Sequence, residues 1–299
     1  MKLKFDIKNK SHADPFIFED CGRFYLYVTG RDGVEAYESD DIFGEWKYIG
    51  IVFSKENCKD YWAPSVIKFK DKYYIYVSFS GENFFQWLHV AEANSPKGPF
   101  INPKLLYSRF SIDSHAVETK EGLYLFYAED NLNEERFGTR IFIDKLIDPY
   151  TPANICKEIV SPSFDEEIYR RNRLGDGRNW HTLEGPFWFK DKGYQYLMYS
   201  GGCFQNDTYH IGFAYCEDTS DELISLDFTK FTDNGLFSPV LIKDNIEEGT
   251  GHHSVIKYKG EYYCVYHARD INPETDFNDR TARICKLIVN KGAIKAEKI

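Results

Sequence analysis

Three acids and a histidine stand where apolar runs begin. Asp14 lies between Ala13 and Pro15 in "SHADPFIFED" (11–20), and Asp113 lies in "IDSHAV" (112–117). Glu184 lies in "LEGPFWF" (183–189), and His252 in "GTGHHSV" (249–255). Asp before Pro is by itself a common turn former, because proline pushes the preceding residue out of the helical region. A set of carboxylates is different. Like charges gathered in a partly enclosed space repel one another and drive some pKa values up. That arrangement costs stability, so it marks a functional site more often than a framework. Whether these four groups meet depends on the elements that carry them.

Those elements repeat. Five segments share one plan: "DPFIFEDCGRFYLYV" (14–28), "APSVIKFKDKYYIYV" (63–77), "DSHAVETKEGLYLFY" (113–127), "GPFWFKDKGYQYLMY" (185–199) and "HHSVIKYKGEYYCVY" (252–266). Each has a polar or proline-containing lead-in, an alternating strand, a turn of Gly, Asp or Lys, and an aromatic strand. A tyrosine stands 11 residues after every start: Tyr25, Tyr74, Tyr124, Tyr196 and Tyr263. Two strands about a tight charged turn make a hairpin. Further strand-like runs, "GVEAYES" (33–39) and "LHVAEA" (88–93), bring each unit to about four strands. The starts are 49, 50, 72 and 67 residues apart. Four-stranded units at such a period predict an all-β, five-bladed β-propeller filling residues 1–299 as a single domain. The longer third interval holds a polar insertion, 163–179, read as a solvated loop at one face. In a propeller the first strand of each blade lines the axis, so repeat starts form a ring at one mouth. That ring contains Asp14, Ala63, Asp113, Gly185 with Glu184 beside it, and His252.

Composition narrows the partners. The formal net charge of −10 opposes nucleic-acid binding, which needs a basic footprint. No run of about 18 apolar residues is present, so no membrane span is expected. The seven cysteines are scattered without a CxxC pair. They read as reduced thiols, and with an amino terminus unlike a signal peptide they predict a cytoplasmic protein. There is no Gly-rich nucleotide loop and no Ser-His-Asp arrangement.

In register with the repeat, the motifs resemble glycoside hydrolase family 43. "ADPFI" is similar to that family's first-blade motif, "WAPSV" with "KYYIYVS" to its second, and "VAEANSPKGPF" (90–100) to the turn that follows. "IDSHAV" with "GLYLFY" resembles the third blade, "LEGPFWFKDKGYQYLMYSGG" the fourth, "GTGHHSV" the fifth, and "DRTARICKLIVNKGAI" the closing segment. Ser114 replaces a frequent proline, and the acidic turn before Gly292 is missing. No appended sandwich domain is expected.

The resemblance implies an inverting glycosidase that releases pentose units, of the α-L-arabinofuranosidase or β-xylosidase type, from small oligosaccharides. Asp14 would be the general base, Glu184 the general acid, and Asp113 the residue that raises the pKa of Glu184 and orients it. Asp14 would stay ionised because its strand mouth is open. His252 near the axis would hold water or help bind a cation, with calcium as the candidate; a buried, hydrogen-bonded histidine is the plain alternative. No cofactor is required. Arg280 would donate to a sugar hydroxyl or to Asp14. Trp62 would stack on a sugar or be core. Trp180 and His181 would shape the pocket, and His253 would pack between blades. A non-catalytic carbohydrate-binding propeller is the competing reading, but it should lack one of the acids. A related fructosidase or phosphorylase is the other. A retaining fructosidase should carry Arg-Asp-Pro where this chain has Ile112-Asp113-Ser114.

Overall fold

A computed structural model describes residues 1–7, 11–81, 85–271, 276 and 278–299. The first blade holds β1 (Lys4–Phe5), β2 (Phe16–Asp20), β3 (Arg23–Val28), β4 (Val34–Ser39) and β5 (Glu45–Phe53), paired in the order β1-β5-β4-β3-β2. The second is the meander β6 (Lys59–Phe69), β7 (Lys72–Ser80), β8 (Gln86–Ala93) and β9 (Ile101–Leu105). The third is β10 (Ile112–Thr119), β11 (Gly122–Asn131) and β12 (Gly138–Asp148), edged by the short β13 (Thr151–Pro152) and β14 (Lys157–Val160). After β15 (Ile168–Arg170) the fourth blade runs β16 (Trp180–Asp191), β17 (Tyr194–Gly201), β18 (His210–Glu217) and β19 (Thr229–Lys230). A small hairpin, β20 (Thr232–Asp233) and β21 (Leu236–Phe237), precedes the last blade. That blade is β22 (Glu247–Tyr258), β23 (Glu261–Asp270), β24 (Thr281–Asn290) and β25 (Ala293–Lys298).

The innermost strands touch in a closed cycle, β2 to β6 to β10 to β16 to β22 and back to β2. The predicted five-bladed propeller is therefore the fold. Its core is divided into five wedges, one between each pair of adjacent blades. The aligned tyrosines explain how. Tyr25, Tyr74, Tyr124, Tyr196 and Tyr263 each pack into the wedge toward the following blade. The next residue points the other way, because side chains alternate along a strand. Leu26, Ile75, Leu125, Leu197 and Cys264 accordingly fill the wedge toward the preceding blade. Both faces of every second strand are buried, so those strands read as nearly continuous aromatic and aliphatic runs.

The ring closes through the amino terminus. Leu3 N donates to Ala282 O at 3.0 Å and Ile284 N to Met1 O at 2.8 Å, on the last blade. Lys4 and Phe5 pair in parallel with Glu45 and Trp46 on the first. The insertion is only partly solvated. Its β15 pairs with the start of β16, and Glu167 is fully buried against Lys230, Nζ to Oε1 2.5 Å.

Candidate active site

Each blade presents its repeat start to the axis by one backbone device. Asp14, Ala63, Asp113, Gly185 and His252 all have left-handed φ, between 40° and 59°. A left-handed residue other than glycine costs on the order of 1–3 kcal/mol and persists only where surroundings enforce it. In four of the five blades the pairing of the first strand shifts register around this residue. Such bulges re-aim a side chain and free a backbone N–H from the ladder.

The freed N–H groups find partners on the preceding blade. Asp14 N donates to His267 Nδ1 (3.1 Å), Ala63 N to Thr29 Oγ1 (2.8 Å) and His252 N to Ser200 Oγ (2.7 Å). Gly185 N donates to Asp113 Oδ2 at 3.1 Å instead. Thr29, Ser200 and His267 stand at one repeat position, four residues after the aligned tyrosine; Ser78 and Ala128 occupy it in the other blades. This polar position in four blades of five is a signal the motif reading passed over, and it identifies two neighbours of Asp14.

Asp14 is 8% exposed. Thr29 Oγ1 donates to its Oδ2 at 2.6 Å, and Arg280 Nη1 donates to its Oδ1 at 3.2 Å. Burial pushes its carboxyl up, but Arg280 first, then His252 and His267, outweigh that and hold it well below the ordinary range. The open strand mouth expected from the sequence is not what keeps Asp14 ionised; the partly buried Arg280 is. His267 is itself pushed down to about 4 by burial and stays neutral. Its Nδ1 is occupied by the Asp14 amide hydrogen, so it serves Asp14 by fixing its position.

Glu184 precedes the left-handed Gly185, one residue earlier than the ring acids, and lies half-buried in the same pocket. Its carboxyl is pushed up to about 7, chiefly by burial; Tyr209 opposes the rise and the Asp14 charge adds to it. Tyr209 OH donates to Glu184 Oε1 at 2.6 Å. Gly251 makes room for that tyrosine, since a Cβ there would stand 1.9 Å from its ring. Asp113, 5% exposed, is raised well above the ordinary range by burial, then by Glu184 and Asp14. It is therefore not the source of charge that lifts Glu184. Burial lifts both, and the two carboxyls titrate as a pair.

His252 sits at the centre, its Nδ1 3.6 Å from both Asp14 Oδ1 and Asp113 Oδ2. Its ring lies against Gly185, whose missing Cβ leaves the space. Burial lowers its pKa against the pull of Asp14. Asp113, Glu184 and His252 each place a donor atom within 4.8 Å of the others, where a cation was expected. Calcium takes six to eight oxygen ligands. Two carboxylates and an imidazole supply only part of that shell, so a calcium held here would draw its remaining oxygen ligands from water or substrate.

One pocket, about 440 Å³ with its open mouth included, gathers Asp14, Trp62, Asp113, Glu184, His252 and Arg280 with Ile112 and Phe204. All six sequence-predicted site residues thus meet. Trp62 is 39% exposed, which settles it as a wall rather than core. Trp180 and His181 do not line this pocket: Trp180 packs on Phe137, and His181 Nε2 lies 3.1 Å from Arg136 Nη1. His253 is buried toward Phe187, as expected for blade packing. Phe204 was missed, because it comes from a loop outside the repeat. Arg269, 2% exposed, holds that loop by donating to Phe204 O (2.6 Å) and Asn206 O (3.1 Å). The Arg280 guanidinium lies 5.0 Å from the Phe204 ring centre.

The sequence profile described as "Glycosyl hydrolases family 43" matches residues 6–293. A "Xylosidase/arabinosidase" of Bacteroides ovatus is 24% identical over 318 residues, covering 92% of this chain and 91% of its own. "Xylosidase/arabinosidase 43A" of Humicola insolens is 23% identical over 340 residues, covering 98% of each. Among solved structures, a thermostable family-43 glycoside hydrolase superposes with a TM-score of 0.83 at 26% identity, covering 99% of this chain and 95% of that one.

Proposed function

The chain belongs to glycosyl hydrolase family 43 and is a glycosidase, and from that premise we propose that it hydrolyses pentosides with inversion, Asp14 acting as base and Glu184 as acid. The observation that carries this reading is the separation of two acids in one pocket: Asp14 held ionised, Glu184 held protonated up to about 7. Pairs whose surroundings drive their pKa values apart are how acid and base roles are divided.

In the reaction, the Asp14 carboxylate takes a proton from water as that oxygen bonds to the anomeric carbon. The glycosidic C–O bond breaks, and Glu184 gives its proton to the departing oxygen. Asp14 Oδ1 and Oδ2 each already accept one hydrogen bond and retain lone pairs for the water. Asp113 and His252 face the sugar from the axis. The names of the two relatives support arabinosides and xylosides as substrates. The seven unpaired cysteines suit a reducing compartment, which favours short oligosaccharides in the cytoplasm over polymers. A non-catalytic binding propeller would not need the divided acids.

An aryl α-L-arabinofuranoside and an aryl β-xyloside, compared side by side, test the substrate class; activity on neither would sink it. Proton NMR of the earliest product reads the mechanism. The inverted anomer should appear first, and retention would end the base assignment of Asp14.

The pH profile has a definite sign. Glu184 works protonated, so kcat/KM should fall as pH rises through about 7. Asp14 works ionised and titrates well below 3.8, so no acid limb should appear near neutrality. Tyr209→Phe removes a donor to the Glu184 carboxylate and should move the alkaline limb to higher pH. An unmoved limb would show that Tyr209 does not tune the acid.

A further inference from the structure

A second cavity opens beside the axial pocket, between the first and second blades. Trp62 and Arg280 line both spaces, so the two share a wall. The second is larger, about 1100 Å³ against about 440 Å³. Ala13 and Thr29 line it as well, and Thr29 is hydrogen-bonded to Asp14. It therefore lies behind the proposed base, and neither Glu184 nor Phe204 borders it.

The rest of its lining is polar, with Arg31, Glu35, Lys59, Asp60 and Asn278. Three cations, Arg31, Lys59 and Arg280, stand against the acids Glu35 and Asp60, and Arg280 is already paired with Asp14, so the remaining charges balance. Mixed donors and acceptors of this kind match the hydroxyls of a neutral sugar. Arg31 and Lys59 make no ion pair among the described residues. The floor is firm: Asp60 N donates to Arg31 O at 2.8 Å, and Gly30 and Tyr61 bridge the two blades. Trp62 offers an exposed aromatic surface at the boundary, as a platform for sugar stacking requires.

We propose that this cavity is a second sugar subsite, holding a neutral sugar unit attached to the glycone (the sugar whose anomeric bond is cut). The direction rests on the acid and base roles proposed above. The leaving group departs toward Glu184 on the fourth blade, so a space behind Asp14 takes what the glycone itself carries. The enzyme then accepts glycones longer than one residue and releases them intact.

The test uses the full chain and two aryl glycosides, one carrying a single pentose and one carrying that pentose extended by a second at its non-reducing end. Wild type should release the intact disaccharide from the extended substrate, with kcat/KM several-fold above the simple one. Lys59→Ala and Arg31→Ala should each raise KM about tenfold more on the extended substrate than on the simple one, the loss of a charged hydrogen bond. Cleavage of the simple glycoside alone, or equal effects of the variants on both, overturns the subsite. Should neither glycoside be cleaved, the proposed function fails, and calorimetry of the free pentose disaccharides still reads the subsite. Binding weakened about tenfold by Lys59→Ala supports it; binding that is absent from wild type or unaltered by the variant overturns it.

Discussion

Asp14→Ala should lower kcat/KM by about 10²–10⁴-fold on every substrate, the usual contribution of a positioned base. Water then attacks without a proton acceptor, and leaving-group quality does not repair that defect. The fold should survive the change. Asp14 N bonds to His267 through the backbone, which alanine keeps. What alanine lacks is the acceptor for Arg280 and Thr29, and it must adopt a left-handed φ of 53°. Asp14→Asn is therefore the companion variant: it tolerates that backbone and keeps an acceptor, but it cannot take the proton. Equal inactivity of both variants assigns the loss to chemistry. Activity retained by Asp14→Asn would remove Asp14 as the base.

Glu184→Ala should instead depend on the leaving group. A sugar alkoxide needs a proton to depart, so natural oligosaccharides should lose about 10²–10⁴-fold in kcat/KM. A dinitrophenolate departs without one, so the activated aryl glycoside should keep much of its rate. The alkaline limb near 7, set by the raised Glu184 carboxyl, should vanish for that activated substrate. Equal losses on the two substrate types, or rescue of Asp14→Ala by the better leaving group, would reverse or void the assignment.

The repeat made the fold legible because each blade must bury two faces of its second strand. Tyr25 and Leu26, and their four counterparts, pack into wedges on opposite sides, so the same run had to recur five times. Asp14, Asp113 and His252 were legible for the same reason: one register places every repeat start on the axis. His267 and Thr29 follow from that register too, although no motif announces them. Phe204, Arg269 and Tyr209 do not. Phe204 and Tyr209 come from the segment between the second and third strands of the fourth blade, and Arg269, although on β23, acts only by holding that segment, so no motif in the chain relates them to the site.

The sequence by itself determined which residues face the axis, since the five copies share one internal register and alternation along strands leaves little choice. It did not determine their protonation. Asp14 and Asp113 occupy equivalent repeat positions with nearly the same φ, 53° and 59°, yet the pKa of one is held well below the ordinary carboxylate range and that of the other is raised well above it. The difference comes from Arg280, which donates to Asp14 from 266 residues away in the chain, and from the proximity of Glu184 to Asp113. The charge state of a buried acid depends on desolvation and on neighbours within a few ångströms, and only the closure of the propeller brings those neighbours together.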